Sequence, residues 1–230
     1  MKWLGHASFQ ITTEKEKIII IDPWLTDNPL ATTQAKDITK ADFVLVTHDH
    51  FDHIADAAQI VKATGAILVG MPETVGRLKK EAAIPDSQIV FGMGINIGGT
   101  VTSDSISITM TQAFHSSQTA SPAGYIIKFE NGFTCYHAGD TGIFSSMKIL
   151  GEIFHINLAM LLIGGVFTMD PKQATFAAKL LEVNTVIPMH YKTFPILEKD
   201  ASSYVEIMEK EAPNIEVIVL GPGEENRVHF

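Results

Sequence analysis

Three histidines and two aspartates fall within six consecutive residues, the run His48-Asp49-His50-Phe51-Asp52-His53. Imidazole and carboxylate groups are ligands that divalent transition metals favour in proteins. The run follows residues 43–47, a short apolar segment rich in β-branched side chains that is typical of a buried strand. The alternative is a histidine-rich surface turn, in which five metal-binding side chains would meet at a strand end by accident. Because strand ends commonly carry function, the run predicts a metal site.

The spacing within the run predicts which side chains converge. Side chains alternate between the two faces of an extended chain, so His48 and His50 point the same way and Asp52 keeps their parity. Asp49 has the opposite parity and is expected to face away. His53 follows at the turn into a helix. The run is therefore expected to bring two imidazoles to one point and a carboxylate with an imidazole to a neighbouring point.

This pattern resembles His-x-His-x-Asp-His, the signature of the metallo-β-lactamase-fold superfamily. The resemblance covers nearly the whole chain and has four supporting segments: Gly5-His6-Ala7-Ser8, Asp22-Pro23-Trp24-Leu25, His137-Ala138-Gly139-Asp140-Thr141 and Pro188-Met189-His190-Tyr191. The chain looks most similar to a small single-domain branch known only as metal-dependent hydrolases. That branch is similar to ascorbate-phosphate lactonases and to N-acyl-phosphatidylethanolamine phospholipase D.

The resemblance implies three further ligands, each near the end of a predicted strand: His115, Asp140 and His190. Metal one is then held by His48, His50, His115 and Asp140. Metal two is held by Asp52, His53, Asp140 and His190, with Asp140 bridging both ions. Asp140 stands where some superfamily members place a cysteine, so all the predicted ligands are nitrogen or oxygen. Such a site suits two divalent ions, with zinc favoured and manganese, iron or nickel accommodated.

Two residues are predicted to support the ligands from behind. Asp22 ends an apolar strand, where a turn cap is the alternative, and the resemblance implies that it orients the ligand run. His6 is placed beside the site by the Gly-His-Ala stretch, with a purely structural histidine as the equal alternative. Four other residues are given no direct role: His137 in the core or behind the ligands, His155 and His229 at the surface, and Cys135 as a buried thiol.

Apolar runs and turn signals predict a mostly regular chain. Strands are expected at 8–12, 17–21, 43–47, 67–69, 125–129, 133–137, 158–163, 185–188 and 216–220, with antiparallel strands within 98–111. Helices are expected at 54–63, 72–82, 171–181 and 201–211. Asn131-Gly132 predicts a two-residue hairpin turn. Strands followed by helix–strand units, twice over and without a linker, predict one domain over 1–230. Its expected fold is an α/β four-layer αββα sandwich of two mixed sheets covered by helices.

Composition narrows the functional classes. The net charge of −9 disfavours a surface that binds nucleic acid, which needs clustered lysine and arginine. A single cysteine excludes an intrachain disulfide framework. The apolar run at 18–21 is too short for a membrane span, and the first residues lack the features of a signal peptide. We therefore expect a cytoplasmic protein with a small-molecule substrate, and the composition is compatible with a homo-oligomer.

The sequence thus predicts a metal-dependent hydrolase in which a hydroxide shared by two metals cleaves an ester, lactone or phosphodiester bond. Asp52 is assigned the catalytic role, as a metal-two ligand that also orients the nucleophile or accepts its proton. One alternative is an iron-dependent sulfur dioxygenase, which keeps the same motif. A nuclease is another, although the chain has no room for an added RNA-clamping insertion. A non-catalytic scaffold usually shows eroded ligands, and none is eroded here.

Overall fold

Short apolar runs in the first third of the chain pair into a mixed sheet of order β1-β2-β3-β4-β5. The computed structural model describes residues 1–227 and places these strands at Lys2–Gly5, Ser8–Thr12, Ile18–Ile21, Phe43–Leu45 and Ile67–Val69. The first three strands pair antiparallel, whereas β3, β4 and β5 pair parallel. The parallel strands are apolar on both faces, which is typical of strands covered on both sides.

A second mixed sheet of order β12-β11-β10-β9-β8-β7-β6 faces the first. Its strands are Thr100–Ser103, Ile106–Gln112, Ala123–Lys128, Thr134–His137, Leu158–Leu162, Thr185–Met189 and Glu216–Val217, named β6 to β12 in chain order. Strands β6 to β9 pair antiparallel, and β9 to β12 pair parallel. Most of the predicted metal ligands lie beyond the carboxyl ends of parallel strands, whereas His115 follows the antiparallel strand β7.

Within residues 1–227, six α-helices lie against the two sheets or in the loops beside them. They are Phe51–Ile54, Ala57–Thr64, Pro72–Ala82, Met147–Phe154, Pro171–Leu181 and Ser202–Glu211, named α1 to α6. Alternate residues of β3 and β4 belong to different cores: Ile20 and Val44 pack in the cluster that includes α2 and α3, whereas Ile19 and Leu45 belong to the cluster that includes the second sheet. This confirms the predicted αββα fold. Within residues 1–227 no helix is long and apolar enough to span a membrane.

The predicted helix over 54–63 is wrong in its first turn, because the structure has two short helices there. The break lies at Asp56, whose carboxylate Oδ2 accepts hydrogen bonds from the backbone of Leu25 and Thr26 at 2.6 and 2.8 Å. The predicted strand 43–47 is likewise two residues too long. The amide of Thr47 donates to the Asp22 carboxylate at 2.8 Å instead of to a neighbouring strand.

The hairpin between β8 and β9 has a three-residue loop, not the predicted two-residue turn. Phe129 N donates to Phe133 O at 2.9 Å, which leaves residues 130–132 as the loop. Gly132 closes this loop with a φ of 89°, in the left-handed region that favours glycine.

Helix α4 was not predicted, and its interior glycine explains why. Gly151 weakens the helical pattern, yet any Cβ there would collide with the backbone of Leu181 at the end of α5. The glycine is therefore required by close packing of two helices. The other differences are small: β1 was not predicted, and β12 ends three residues earlier than the predicted strand 216–220.

Candidate metal centre

The ligand run connects the end of β4 to the first turn of α1. His50 is the N-cap of α1 and has an extended backbone, with φ −69° and ψ 148°. The Nε2 atom of His48 lies 3.0 Å from Nδ1 of His50, so these two imidazoles converge as their parity predicted. Asp52 reaches the same side from inside α1 rather than from an extended strand. The parity argument therefore holds for the histidine pair but gives the wrong reason for Asp52.

The three predicted ligands that only the resemblance implied lie on the second sheet. His115 follows β7, Asp140 follows β9, and His190 comes directly after β11. The Asp140 carboxylate lies among imidazoles, with Oδ2 at 3.1 Å from His190 Nε2 and 3.5 Å from His115 Nε2. Its Oδ1 atom is 3.3 Å from Nε2 of His53, which belongs to the ligand run. Asp140 thus joins the two sheets at one point.

The converging side chains fall into three overlapping groups, in each of which the potential ligand atoms lie within 4.8 Å of one another. These groups are His48, His50 and His115; His48, His53 and Asp140; and His6, Asp52, His53 and His190. The structure therefore brings together all seven predicted ligands. It also places a nitrogen of His6 as close to the metal-two group as the ligands are to each other.

Several buried ligand atoms have no hydrogen-bond partner among the described residues: His53 Nε2, Asp140 Oδ1, His190 Nδ1 and His190 Nε2. A buried polar atom without a partner costs free energy, so such a cluster of orphaned atoms needs an explanation. Divalent cations would satisfy the inward-facing nitrogen and oxygen atoms, and the donor set has no thiolate. The residues present therefore fit the binding of divalent metal.

Asp22, predicted to support the ligand run from behind, is hydrogen-bonded to it in the structure. Its Oδ2 atom accepts hydrogen bonds from His53 Nδ1 at 2.7 Å and from the Thr47 hydroxyl at 2.6 Å. Because that hydroxyl donates to Asp22, its oxygen accepts from His48 Nδ1 at 3.0 Å. Both imidazoles are thereby held with Nε2 turned toward the site, which is how carboxylates behind a metal centre orient its histidines.

His6 is completely buried and lies beside Asp52, His53 and His190. Its Nε2 atom is 3.0 Å from Asp52 Oδ2, and its Nδ1 atom is 2.8 Å from the hydroxyl of Thr193. Burial, assisted by the neighbouring His190, lowers the pKa of His6 to about 3. The neutral ring therefore donates from Nε2 to the Asp52 carboxylate and accepts from Thr193.

Three of these residues adopt a left-handed backbone that side chains other than glycine rarely adopt. The φ angles are 57° at His6, 46° at Asp22 and 60° at His190. Strain of this kind costs free energy and is concentrated at functional sites. The backbone of His6 is also tied to that of His190, whose amide donates to His6 O at 3.0 Å. The fold thus accepts local strain to hold ligand-bearing segments together.

Electrostatics keep the Asp140 carboxylate charged. Burial alone would favour neutral Asp140, but the His190 and His53 imidazoles beside it hold its pKa well below the ordinary value. An ionised carboxylate between imidazoles is the charge state that a divalent ion requires of a ligand.

Asp49 faces away from the metal centre, as predicted, and has a role that the sequence analysis missed. Its Oδ1 atom accepts from the hydroxyl of Ser117 and the amide of Gln118, each at 2.6 Å. Its Oδ2 atom accepts from Thr119 Oγ1 at 2.6 Å and from Arg77 Nη1 at 2.9 Å. The carboxylate thus ties the loop that follows His115 to the ligand run. The local sequence gave one indication of this role, an acidic residue whose side chain is expected to face away from the other residues of the run.

The remaining predictions concern residues outside the centre. His137 is buried and its Nε2 atom bonds Ala7 O at 2.9 Å, which places it in the core. His155 is exposed, as predicted, and His229 lies outside the described residues. Cys135 is completely buried, and burial raises the pKa of its thiol.

Comparison with known proteins extends the similarity beyond the ligand run. A family model described as a beta-lactamase superfamily domain matches residues 17–191. A UPF0173 metal-dependent hydrolase of Nitratidesulfovibrio vulgaris (strain DP4) is 48% identical over 222 residues, covering 96% of this chain and 92% of that protein. The one from Pyrobaculum islandicum is 41% identical over 231 residues, covering 99% of both. Igni18, whose structure is described as that of a novel metallo hydrolase from Ignicoccus hospitalis, has 39% sequence identity to this chain. The two structures match with a TM-score of 0.88, over 99% of this chain and 97% of that one.

Proposed function

The chain belongs to the beta-lactamase superfamily and is a metal-dependent hydrolase, and from this premise we propose that two divalent ions serve its hydrolytic reaction. The proposed substrate is a small molecule with an ester, lactone or phosphodiester bond. The observation that carries the proposal is the position of Asp140. Its carboxylate lies close to His53, which follows the first sheet, and to His115 and His190, which follow strands of the second sheet.

The proposed ligand sets follow the two ends of the cluster. Metal one takes His48, His50, His115 and Asp140, and metal two takes Asp52, His53, Asp140 and His190. The close grouping of His48, His50 and His115 supports the first set, and that of Asp52, His53 and His190 supports the second. Nitrogen and oxygen donors suit zinc first, with manganese, iron or nickel accommodated.

Divalent ions held by these residues would supply a water acidic enough to act as a nucleophile near neutral pH and would polarise the bond under attack. The chain's own residues position the reacting groups. Asp52 has 13% of its side chain exposed, whereas Asp140 and His190 have 3% each, so Asp52 is the carboxylate open to an incoming molecule. We assign it to orient the water nucleophile or accept its proton. His6 donates to one of its oxygens and holds its orientation.

The type of bond that is cleaved is the most specific part of the proposal. The resemblance of the sequence to ascorbate-phosphate lactonases and to N-acyl-phosphatidylethanolamine phospholipase D remains a prediction. Ester, lactone and phosphodiester hydrolysis all fit the proposed metal chemistry. The cytoplasmic location belongs to the same proposal.

The test combines metal analysis with an activity screen. We expect purified protein to hold about two metal equivalents and to hydrolyse at least one member of a panel of lactones, esters and phosphodiesters. The panel is run with zinc, manganese, iron and nickel. A variant carrying both His48→Ala and His50→Ala should lose metal and activity together, and His155→Ala, at an exposed histidine, is the matched control. Full hydrolytic activity in the metal-free double variant would overturn the proposal, and oxygen-dependent turnover of persulfides would favour the sulfur dioxygenase instead.

A further inference from the structure

Two exposed phenylalanines adjoin the ligands that solvent can reach. Phe51, 62% exposed, lies between His50 and Asp52, and Phe114, 61% exposed, comes directly before His115. Asp52 and His115 have 13% and 11% of their side chains exposed, whereas the deeper ligands are nearly inaccessible. A molecule that approaches the metal centre therefore arrives beside apolar rings.

Phe51 is part of a packed group that we call the aromatic wall, formed by Trp24, Phe51 and Phe194. The rings of Trp24 and Phe194 are stacked, with centroids 5.7 Å apart and an interplanar angle of 15°. Phe51 meets both of them edge-on, with centroids at 5.5 Å from Trp24 and 6.4 Å from Phe194. Trp24 is only 4% exposed, so the wall is anchored in the protein interior. The group therefore presents a pre-positioned apolar surface.

The aromatic wall is continuous with the metal-two ligands. Trp24 and Phe194 each pack edge-on against His6, with centroids 5.2 and 5.7 Å away. The His6 ring lies 3.8 Å from that of His190 and donates to Asp52. An apolar surface and the proposed nucleophile-orienting carboxylate thus both contact the His6 imidazole.

Exposed apolar side chains are common and singly need no explanation. Phe176 illustrates the ordinary case, since it is 51% exposed on α5 and lies under the ammonium group of Lys179. The aromatic wall differs because its rings pack on one another and against a residue of the centre. Rigid aromatic surfaces next to a few polar groups are typical of small-molecule sites.

We propose that the aromatic wall is a subsite for an apolar group, alkyl or aryl, that the substrate carries next to the bond to be cleaved. This inference rests on the proposed function and narrows it. The preferred ester, lactone or phosphodiester is one with an apolar substituent, which the wall removes from water while the polar end reaches the metals. Small polar substrates with the same bond would lack this contribution.

The test uses two metal chelators that differ only in the length of an alkyl chain, acetohydroxamic acid and octanohydroxamic acid. Their dissociation constants are measured by calorimetry on metal-loaded protein, so the result does not depend on which bond the enzyme cleaves. We expect the octano compound to bind wild type at least about tenfold more tightly, since burial of two methylene groups already gives roughly that ratio. Phe51→Ala and Phe194→Ala should each reduce the ratio severalfold. Because the ratio compares two chelators on the same metal-loaded variant, an effect of the substitution on the hydroxamate–metal contact affects both constants alike.

Phe176→Ala is the matched control and should keep the wild-type ratio. Equal binding of the two compounds by wild type would overturn the subsite, and so would an unchanged ratio in both wall variants. These outcomes would leave the metal centre intact, because acetohydroxamate still binds. If neither hydroxamate binds metal-loaded protein, the bound metal is not open to a ligand, which contradicts the proposed hydrolytic site, and the subsite falls with it.

Discussion

His53 and Asp22 form a completely buried pair in which imidazole Nδ1 lies 2.7 Å from carboxylate Oδ2. The same carboxylate accepts both the amide and the hydroxyl of Thr47. One side chain at the end of β3 therefore fixes the end of β4 and the first turn of α1. The orientation of the proposed ligands from the run depends on this carboxylate.

Replacing that carboxylate should weaken metal binding without removing a ligand. We expect Asp22→Asn to lower metal affinity by about 10- to 100-fold, because His53 and Thr47 lose the charged acceptor that orients them. The measurement is a competition titration against a chromophoric chelator. Asp86→Asn, at an exposed carboxylate, is the control. Wild-type affinity in Asp22→Asn would show that the pair is only a structural contact.

His6 should affect one metal more than the other. We expect His6→Ala to bring the metal stoichiometry from about two toward one. In this variant Asp52 loses the hydrogen bond from His6, and His190 loses the ring that packs against it. His6→Gln retains an amide that can donate to Asp52 and should restore part of the metal content. Metal analysis after gel filtration gives the answer. Two tightly held equivalents in His6→Ala would contradict the assignment.

Asp140→Asn should remove both metals at once. A neutral amide cannot replace a bridging carboxylate, so we expect activity to fall by more than about 100-fold, beyond the usual effect of losing a group behind the ligands. The same variant should stay folded in circular dichroism, since asparagine has nearly the same size and shape as aspartate. Retention of one full metal equivalent would argue that Asp140 serves a single ion.

Asp49 should contribute to stability in a pH-dependent way. Although burial opposes ionisation, the hydroxyls of Ser117 and Thr119 lower the pKa of Asp49 to about 2. Because this folded-state pKa lies below the unfolded value of about 3.9, the contribution is complete above that value and is lost as the pH falls toward 2. We expect Asp49→Asn to cost about 2 kcal/mol near neutral pH.

The Asp49 measurement is urea unfolding of metal-free protein between pH 7 and pH 2. The difference in unfolding free energy between wild type and Asp49→Asn should shrink over the acidic part of that range. Glu81→Gln, which removes the exposed partner of Arg77, is the control and should change little. A difference that stays constant with pH would mean that the Asp49 charge contributes nothing.

The ligand run was predictable because its residues are neighbours in sequence and the local pattern alone brings them together. His115, Asp140 and His190 are far from the run along the chain, so only the resemblance to a known family could connect them. The αββα fold was predictable from the order of strands and helices along the chain. Local patterns predict individual helices and strands well, but they do not predict which of these elements contact one another.

The errors arose where a distant side chain controls local structure. Asp56 ends α1 because it caps the segment at Leu25 and Thr26. The interior Gly151 is dictated by α5, which packs against it. The role of Asp49 was missed because its partners lie nearly thirty to seventy residues away in sequence. In each case the contact that decides the structure joins separate parts of the chain.

Cys135, the only cysteine of the chain, is enclosed between the sheets. The natural protein is therefore already suited to single-probe spectroscopy, since thiol reagents meet no accessible native thiol while the fold is intact. A cysteine introduced at the exposed position of Gln118 would carry a nitroxide label alone. Paramagnetic relaxation between that label and bound manganese would then give the location of the ions as a distance measured in solution.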